Sequence, residues 1–337
     1  MDFTLDETQQ AVADLAATVL RAEPDHGRAT NVLAGAAGYD ETLWKAMAQA
    51  GLLSLAVPTE HGGDGLGAVE VAAVLTEVGR QVQPLPALAT LALAVLPLTA
   101  LGASEHLTAV ADGAVLTAAL RPMVWSQGAV TGRASGVPYA AQAHRILVPV
   151  ADGIALLAPD ADGVSLTRTT TSTGAPEYTV QCTDTPAELV PGDASVLSRF
   201  AVAGAIAVAD GVLAGALDLT ASHVRDRIQF GRPLATFQAV AQEVGDVYVT
   251  ARTIHLASTA VNWELANARD ADVDIEIAAY WLAAELPAAL QMCHHLHGGL
   301  GVDITYPLHR YYSHAKDLAR MVGGAGYRLD RVGAACR

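Results

Sequence analysis

The residues best suited to chemistry lie in the stretch His223–Gln238, which reads H-V-R-D-R-I-Q-F-G-R-P-L-A-T-F-Q. Arg225 and Arg227 close a long apolar helical pattern. Phe230, Gly231 and Pro233 follow, and a second helical pattern starts near Gln238. Gly231 tolerates positive φ and Pro233 suits a helix start, so the stretch reads as a helix end, a tight turn and a new helix. A guanidinium is a planar fork that matches phosphate oxygens, an aromatic face can flank a flat ring, and the Gln238 amide both donates and accepts. Such a corner can hold an anion beside a ring. A purely structural reading stands next to this one: an arginine favoured by the dipole at a helix C-terminus, with a phenylalanine filling the bend. A second cluster, Cys293, His294, His295 and His297, is followed directly by Gly298 and Gly299. His294 and His297 share a helix face, a spacing that can ligate a metal. No carboxylate nearby is evident to orient those imidazoles, and a satisfied structural role competes with the metal.

These residues need helices to hold them. Thr4 with Glu7 forms a capping-box pattern opening a first helix, with Val12, Leu15, Ala16 and Val19 on one face. Asp40 caps a second helix carrying Leu43, Trp44 and Met47 as one apolar stripe, and Gly51 fits its end. A glycine-rich link, G-L-L-S-L-A-V-P-T-E-H-G-G-D-G-L-G, leads to a third helix over about Ala68–Val78 and a proline-flanked fourth over Ala87–Thr99. From Gly113 the period changes. A-V-L-T-A-A-L, A-V-T-G-R-A-S-G-V, R-I-L-V-P-V, G-I-A-L-L-A-P and E-Y-T-V-Q-C are short apolar runs broken by turn residues, which predicts an antiparallel barrel or sandwich. The helical period returns over Ala194–Arg227, Phe237–Ala268 and Val273–His297, with a shorter helix after Pro307. The expected organisation is therefore an all-α region over 1–111, a β region over 112–192 and a helical bundle over 193–337.

Composition bounds the function. The 337 residues are 52% hydrophobic and only 16% charged, enough apolar surface to bury between subunits as well as within one. A net charge of −15 with no basic run argues against nucleic acid and anionic membranes as partners. Three scattered cysteines, Cys182, Cys293 and Cys336, and an acidic N-terminus without a basic leader fit a reduced cytoplasmic setting. The apolar runs Leu85–Leu101 and Ala201–Leu217 fall short of a bilayer span and read as buried helices. Trp44, Trp263 and Trp281 lie at helical spacing with apolar neighbours and read as core or interface, while Tyr306, Tyr311 and Tyr312 suit packing, with the lining of an acyl pocket as the alternative.

Taken together, several segments resemble acyl-CoA dehydrogenases. G-L-L-S-L-A-V-P-T-E-H-G-G-D-G-L-G-A-V-E is similar to the N-terminal signature of that family. V-T-G-R-A-S-G-V-P-Y-A-A-Q-A-H-R-I-L-V resembles its middle strand pair, R-D-R-I-Q-F-G-R-P-L-A-T-F-Q its Arg-x-x-Phe-Gly…Gln corner, and H-H-L-H-G-G-L-G its Gly-Gly-x-Gly segment. The resemblance implies a mainly α fold with a small β domain: an N-terminal helical domain, a middle antiparallel β-barrel or sandwich and a C-terminal four-helix bundle. It implies a chemistry in which a glutamate removes the α-proton of an acyl-CoA thioester while FAD takes the β-hydride, with the FAD shared across a subunit interface. Arg227, Phe230 and Gln238 would then serve the ADP half, with Gly298 and Gly299 admitting the backbone. His295 stands where the family usually has glutamine.

The departures carry as much information. Val322 occupies the place of the family's glutamate and Gly324 that of a threonine that binds FAD. A valine cannot accept a proton, and general-base catalysis is worth roughly two to four orders of magnitude. No acid lies between Ser195 and Val208, and Asp210 is the nearest on that helix. The flavin-contacting Trp-x-Ser/Thr is replaced by Val137, Pro138 and Tyr139, and the element after the first strand reads A-A-L-R-P-M-V-W-S. This combination resembles the base-lacking subunit of actinobacterial heteromeric (α2β2) steroid side-chain acyl-CoA dehydrogenases. That resemblance implies a partner subunit carrying the glutamate, a steroid side-chain CoA substrate and electron transfer flavoprotein as acceptor, with the isolated chain inactive. A scaffold or pseudoenzyme that binds no flavin is the alternative.

Overall fold

A computed structural model describes residues 5–21 and 31–335. The first helix, α1 (Glu7–Leu20), is capped by Asp6, whose carboxylate accepts from Gln9 N at 2.8 Å while the Gln9 side chain accepts from Asp6 N at 3.1 Å. The capping box is thus Asp6/Gln9 and not the expected Thr4/Glu7; Thr4 lies outside the described residues. The Gln9 amide also donates to Glu70 at 3.1 Å, joining α1 to α3 (Ala68–Arg80). In α2 (Glu41–Gln49) Asp40 accepts from Leu43 N at 3.0 Å, and Gly51 turns the chain at φ 76°. The buried stripe is Leu43, Trp44 and Met47, as the spacing predicts. Trp44 Nε1 donates to Gly113 O at 2.8 Å, pinning this helix to the residue where the β region begins. Helix α4 (Leu88–Ala100) runs in wide π turns over Leu88–Val95 and then tightens, with Pro97 where the pitch changes.

The β region is a sandwich of two four-stranded sheets, ordered β1-β4-β5-β8 and β2-β3-β7-β6. The strands are β1 (Leu116–Ala118), β2 (Val124–Ser126), β3 (Ala129–Pro138), β4 (Arg145–Val150), β5 (Gly153–Leu157), β6 (Val164–Thr169), β7 (Glu177–Pro186) and β8 (Glu188–Pro191). One pairing departs from the antiparallel expectation: β1 and β4 run parallel, because the chain crosses to the other sheet for β2 and β3 before it returns. In β4, Ile146, Val148 and Val150 face the core between the sheets. Leu147 faces the other way, into the core that the sheet shares with the helices, together with Leu116, Ile154 and Leu156. Both faces are covered, which explains why R-I-L-V-P-V reads as a continuous apolar run.

The bundle comprises α5 (Ser195–Asp226), α6 (Gln238–Ala266), α7 (Asp272–His297), α8 (Leu308–Met321) and α9 (Ala325–Ala335). Central α5 meets α3 backbone to backbone. A Cβ on Gly211 would lie 1.8 Å from Thr76 O, and one on Gly79 would lie 2.2 Å from Val208 O. By length and composition α5 could cross a membrane, but its apolar window is 89% buried within the molecule, as in a core helix. The last helix, α9, was not expected from the sequence. It docks through Arg328 and Arg331, which converge on the buried Glu276 of α7 at 2.8 and 3.0 Å.

Candidate functional site

Helix α5 ends at Asp226, and Arg227 leaves it in extended conformation. Ile228–Gln229 (β9) then pairs with Arg232–Pro233 (β10) around Phe230 and Gly231, both at positive φ, 52° and 79°. A two-residue hairpin demands that pair of conformations, and glycine suits it, but a phenylalanine there is unfavourable. The ring of Phe230 is 89% exposed, with Ile228 beside it at 61%. Among the described residues its aromatic neighbour is Phe237, edge-on at 6.1 Å, whose face carries the Arg232 guanidinium at 4.1 Å. Gln238 opens α6 and is exposed.

The other wall comes from the end of α7. Gly298 stands at φ 58°, where a Cβ would meet nothing within 4 Å, and the same holds at Gly299. Backbone therefore borders open space at the helix end. His297 Nδ1–H donates to Cys293 O at 2.8 Å, and its Nε2 lies 3.1 Å from the Tyr306 hydroxyl. Its ring stacks on that of His223, centroids 4.4 Å apart and planes 18° from parallel. Arg227, His295, Gly298 and Gly299 come together with this pair around a cleft of about 420 Å³. Of the sequence-predicted site residues, Phe230 and Gln238 lie outside it, on the projecting hairpin and the start of the next helix. Burial depresses the pKa of His223 below 6.5, and Arg227 adds to the effect against the opposing pull of Asp226. Burial does the same to His297, with His223 and His294 contributing. The rings are neutral at pH 7, so Arg227 supplies the cleft's fixed positive charge. Among the described residues no ion pair engages Arg227.

The histidines do not assemble as a metal site among the described residues. His294 turns to the Tyr312 ring, His295 points outward near Glu243 at 3.8 Å, and Cys293 is buried. Cys336 lies outside the described residues. Tyr306, Tyr311 and Tyr312 are used in packing: Tyr311 donates to Arg80 O at 3.0 Å and Tyr312 accepts from Gln291 at 2.8 Å.

A second cavity, about 450 Å³, lies between α3, α4, the β sandwich and α8. Its apolar walls include Leu88, Leu93, Val208 and Met321. An ion pair borders it. Arg320 donates to both carboxylate oxygens of Glu177, at 2.5 and 3.2 Å, with side chains 49% and 11% exposed. One turn earlier, Asp317 accepts from Ser172 N, Thr173 N and Thr173 Oγ1, each at 2.9 Å. Two turns of α8 are thereby fastened, one to the start of β7 and one to the loop that leads into it. Tyr139 is buried at φ 53° and Val137 is in the sandwich core, so neither residue replacing the family's Trp-x-Ser/Thr stands free. Val322 is 2% exposed and does not line the cavity, although its neighbour Met321 does. Asp210 is not on the cavity either; its carboxylate lies 2.9 Å from His255 Nδ1. Neither the Glu177–Arg320 pair nor the His223–His297 stack has a local signal, because both join residues far apart in the chain.

This fold is that of the acyl-CoA dehydrogenases. The model of the acyl-CoA dehydrogenase N-terminal domain matches residues 6–109 and that of the C-terminal domain residues 196–335, and the chain belongs to this FAD-dependent family. Among its relatives, acyl-CoA dehydrogenase FadE28 of Mycobacterium tuberculosis is 42% identical across 100% of this chain and 99% of its own. Two solved structures superpose with TM-scores of 0.92: a Tcur3481-Tcur3483 steroid ACAD variant, 32% identical over 98% of each chain, and the ChsE4-ChsE5 complex of Mycobacterium tuberculosis, 31% identical over 100% of this chain and 99% of that one.

Proposed function

We propose that this chain is the base-lacking subunit of a heteromeric FAD-dependent acyl-CoA dehydrogenase, with the domains 1–111, 112–192 and 193–337. Its role is to hold the ADP half of an FAD whose isoalloxazine ring, and whose catalytic glutamate, lie on a partner subunit. The bound flavin supplies hydride acceptance; this chain's own residues position it. Arg227 pairs with the diphosphate, Gly298 and Gly299 let it approach the backbone, and His295 closes the cleft. Phe230 and Gln238, displayed outside the cleft in the single chain, flank the adenosine side of the nucleotide where the partner covers the hairpin. The hairpin's exposure supports this, since a strained and solvent-facing phenylalanine needs a partner surface to cover it.

The observation that carries the reading is the contrast between two places in one chain. At the corner, cation and open backbone border free space. On the ring side, the replacement residues are buried, Asp317 and Arg320 fasten α8 to the β sandwich, and Val322 brings no proton acceptor. The structural relatives include complexes of two different chains, one described as a steroid ACAD. A steroid side-chain CoA as substrate, electron transfer flavoprotein as acceptor and a cytoplasmic location complete the proposal.

The test is expression of the chain alone and together with a glutamate-bearing partner, followed by flavin absorbance and acyl-CoA oxidation. The reading expects an inactive chain alone and a yellow, active complex. Ordinary turnover by the chain alone would refute it, and an active complex whose flavin makes no use of this chain would favour the scaffold alternative.

A further inference from the structure

We infer that His223 is a phosphate-binding residue of the corner cleft, and that it binds a nucleoside diphosphate by taking up one proton. The inference rests on the reading of the cleft as a nucleotide site and adds a residue and a linkage to it.

The geometry separates the two stacked rings. His297 is held at both nitrogens, Nδ1–H by Cys293 O and Nε2 by the Tyr306 hydroxyl, which fixes one neutral tautomer. His223 lines the same cleft, is only partly buried, and has no ring hydrogen bond among the described residues. Two imidazolium rings with centroids 4.4 Å apart would repel, so the pair accepts at most one proton. The unengaged ring, His223, is the one that can take it.

The charges around the pair set when this happens. On its own helix end, His223 faces Arg227, which drives the proton off, and Asp226, which favours it. From α7 it faces His297, with His294 behind and His295 beside the cleft; beyond α7 lies Tyr306, and from α6 Glu243 reaches His295 at 3.8 Å. With the cleft empty of anions, burial and Arg227 hold His223 neutral. A diphosphate drawn to Arg227 reverses that field. Imidazolium then becomes the favoured form, and its N–H donates to a phosphate oxygen in a charge-assisted bond. The bound state holds one proton more than the free state, taken from solvent. Affinity therefore falls as pH rises between the free and bound pKa of His223, by up to about tenfold per pH unit.

The test is calorimetric titration of ADP-ribose, a diphosphate diester that does not itself titrate near neutrality, into the full-length chain. It is run between about pH 6 and 8 in two buffers of different ionisation enthalpy. We expect uptake approaching one proton per ligand, affinity falling with pH, and both lost in His223→Gln, which keeps a donor but cannot titrate. Binding without proton uptake, or uptake that survives in His223→Gln, overturns the inference and leaves the nucleotide cleft standing. Inorganic phosphate binding as tightly as ADP-ribose overturns the nucleotide assignment. An absence of ADP-ribose binding at every pH removes the nucleotide cleft and this inference together.

Discussion

Placing a glutamate at residue 322, where the family has its base, should damage this chain and leave it inactive. Val322 is 2% exposed, sits in the main core and does not line the central cavity. A Val322→Glu carboxyl would have to fold away from water. The nearby guanidinium of Arg328 is already committed to Glu276 and to the Val322 carbonyl. Holding a carboxyl neutral at pH 7 when its ordinary pKa is about 4.3 costs about 4 kcal/mol. Overpacking by the longer side chain adds about 1–3 kcal/mol. Together these amounts are a large part of a typical stability of about 5–15 kcal/mol. The protonation part has a signature: it shrinks by about 1.4 kcal/mol for each pH unit of acidification until the ordinary pKa is reached. Urea unfolding at a series of pH values measures it, alongside acyl-CoA oxidation by the variant alone. A Val322→Glu chain within about 0.5 kcal/mol of the parent, or one that turned over substrate alone, would show that position 322 faces a latent site and would refute the reasoning.

Other outcomes follow from the same contacts. Arg320→Ala strands the nearly buried Glu177, but Arg320 is half exposed, so we expect a loss of about 1–3 kcal/mol in urea unfolding rather than the full cost of a buried pair. Adding Glu177→Gln to Arg320→Ala should cost less than the two single changes taken separately; strict additivity would show that the pair is not coupled. Gly211→Ala would put a Cβ 1.8 Å from Thr76 O and force α3 off α5, so we expect at least about 3 kcal/mol lost or no soluble chain; a normal melting temperature would contradict this. His314 lies between two cavities, and burial, reinforced by Arg310, holds it near pKa 4, below the 6.5 of the unfolded chain. The unfolded chain takes that proton first, so the contribution is intact above about pH 6.5 and is lost as pH falls toward 4, by at most about 3 kcal/mol. His314→Gln should flatten that part of the stability profile, and an unchanged acid limb would exclude His314 as its cause.

The helices were legible because their apolar residues recur at helical spacing and their ends carry local signals: Asp40 before α2, Gly51 after it, the Gly298–Gly299 pair after α7. The strands were legible for the same reason, with β4 betraying two buried faces. What local pattern could not show is what depends on distant partners. The parallel pairing of β1 with β4 follows from a crossover between sheets. Helix α9 buries none of its own residues fully and docks through arginines reaching one carboxylate on α7. At the candidate site, the residue types around Arg227 and the glycines pointed to an anion cleft, and those residues do meet. Yet the same reading placed Phe230 and Gln238 with them, and in the single chain both face solvent. The stacking of His223 on His297 and the tie from Arg320 to Glu177 join positions that no spacing rule connects.

The most direct test of the half-site account is Arg227→Glu in this chain, co-expressed with an unaltered glutamate-bearing partner. The complex should still assemble but lose flavin and acyl-CoA oxidation, although every residue of the catalytic chain is intact. Full flavin content and full activity in that complex would contradict the account.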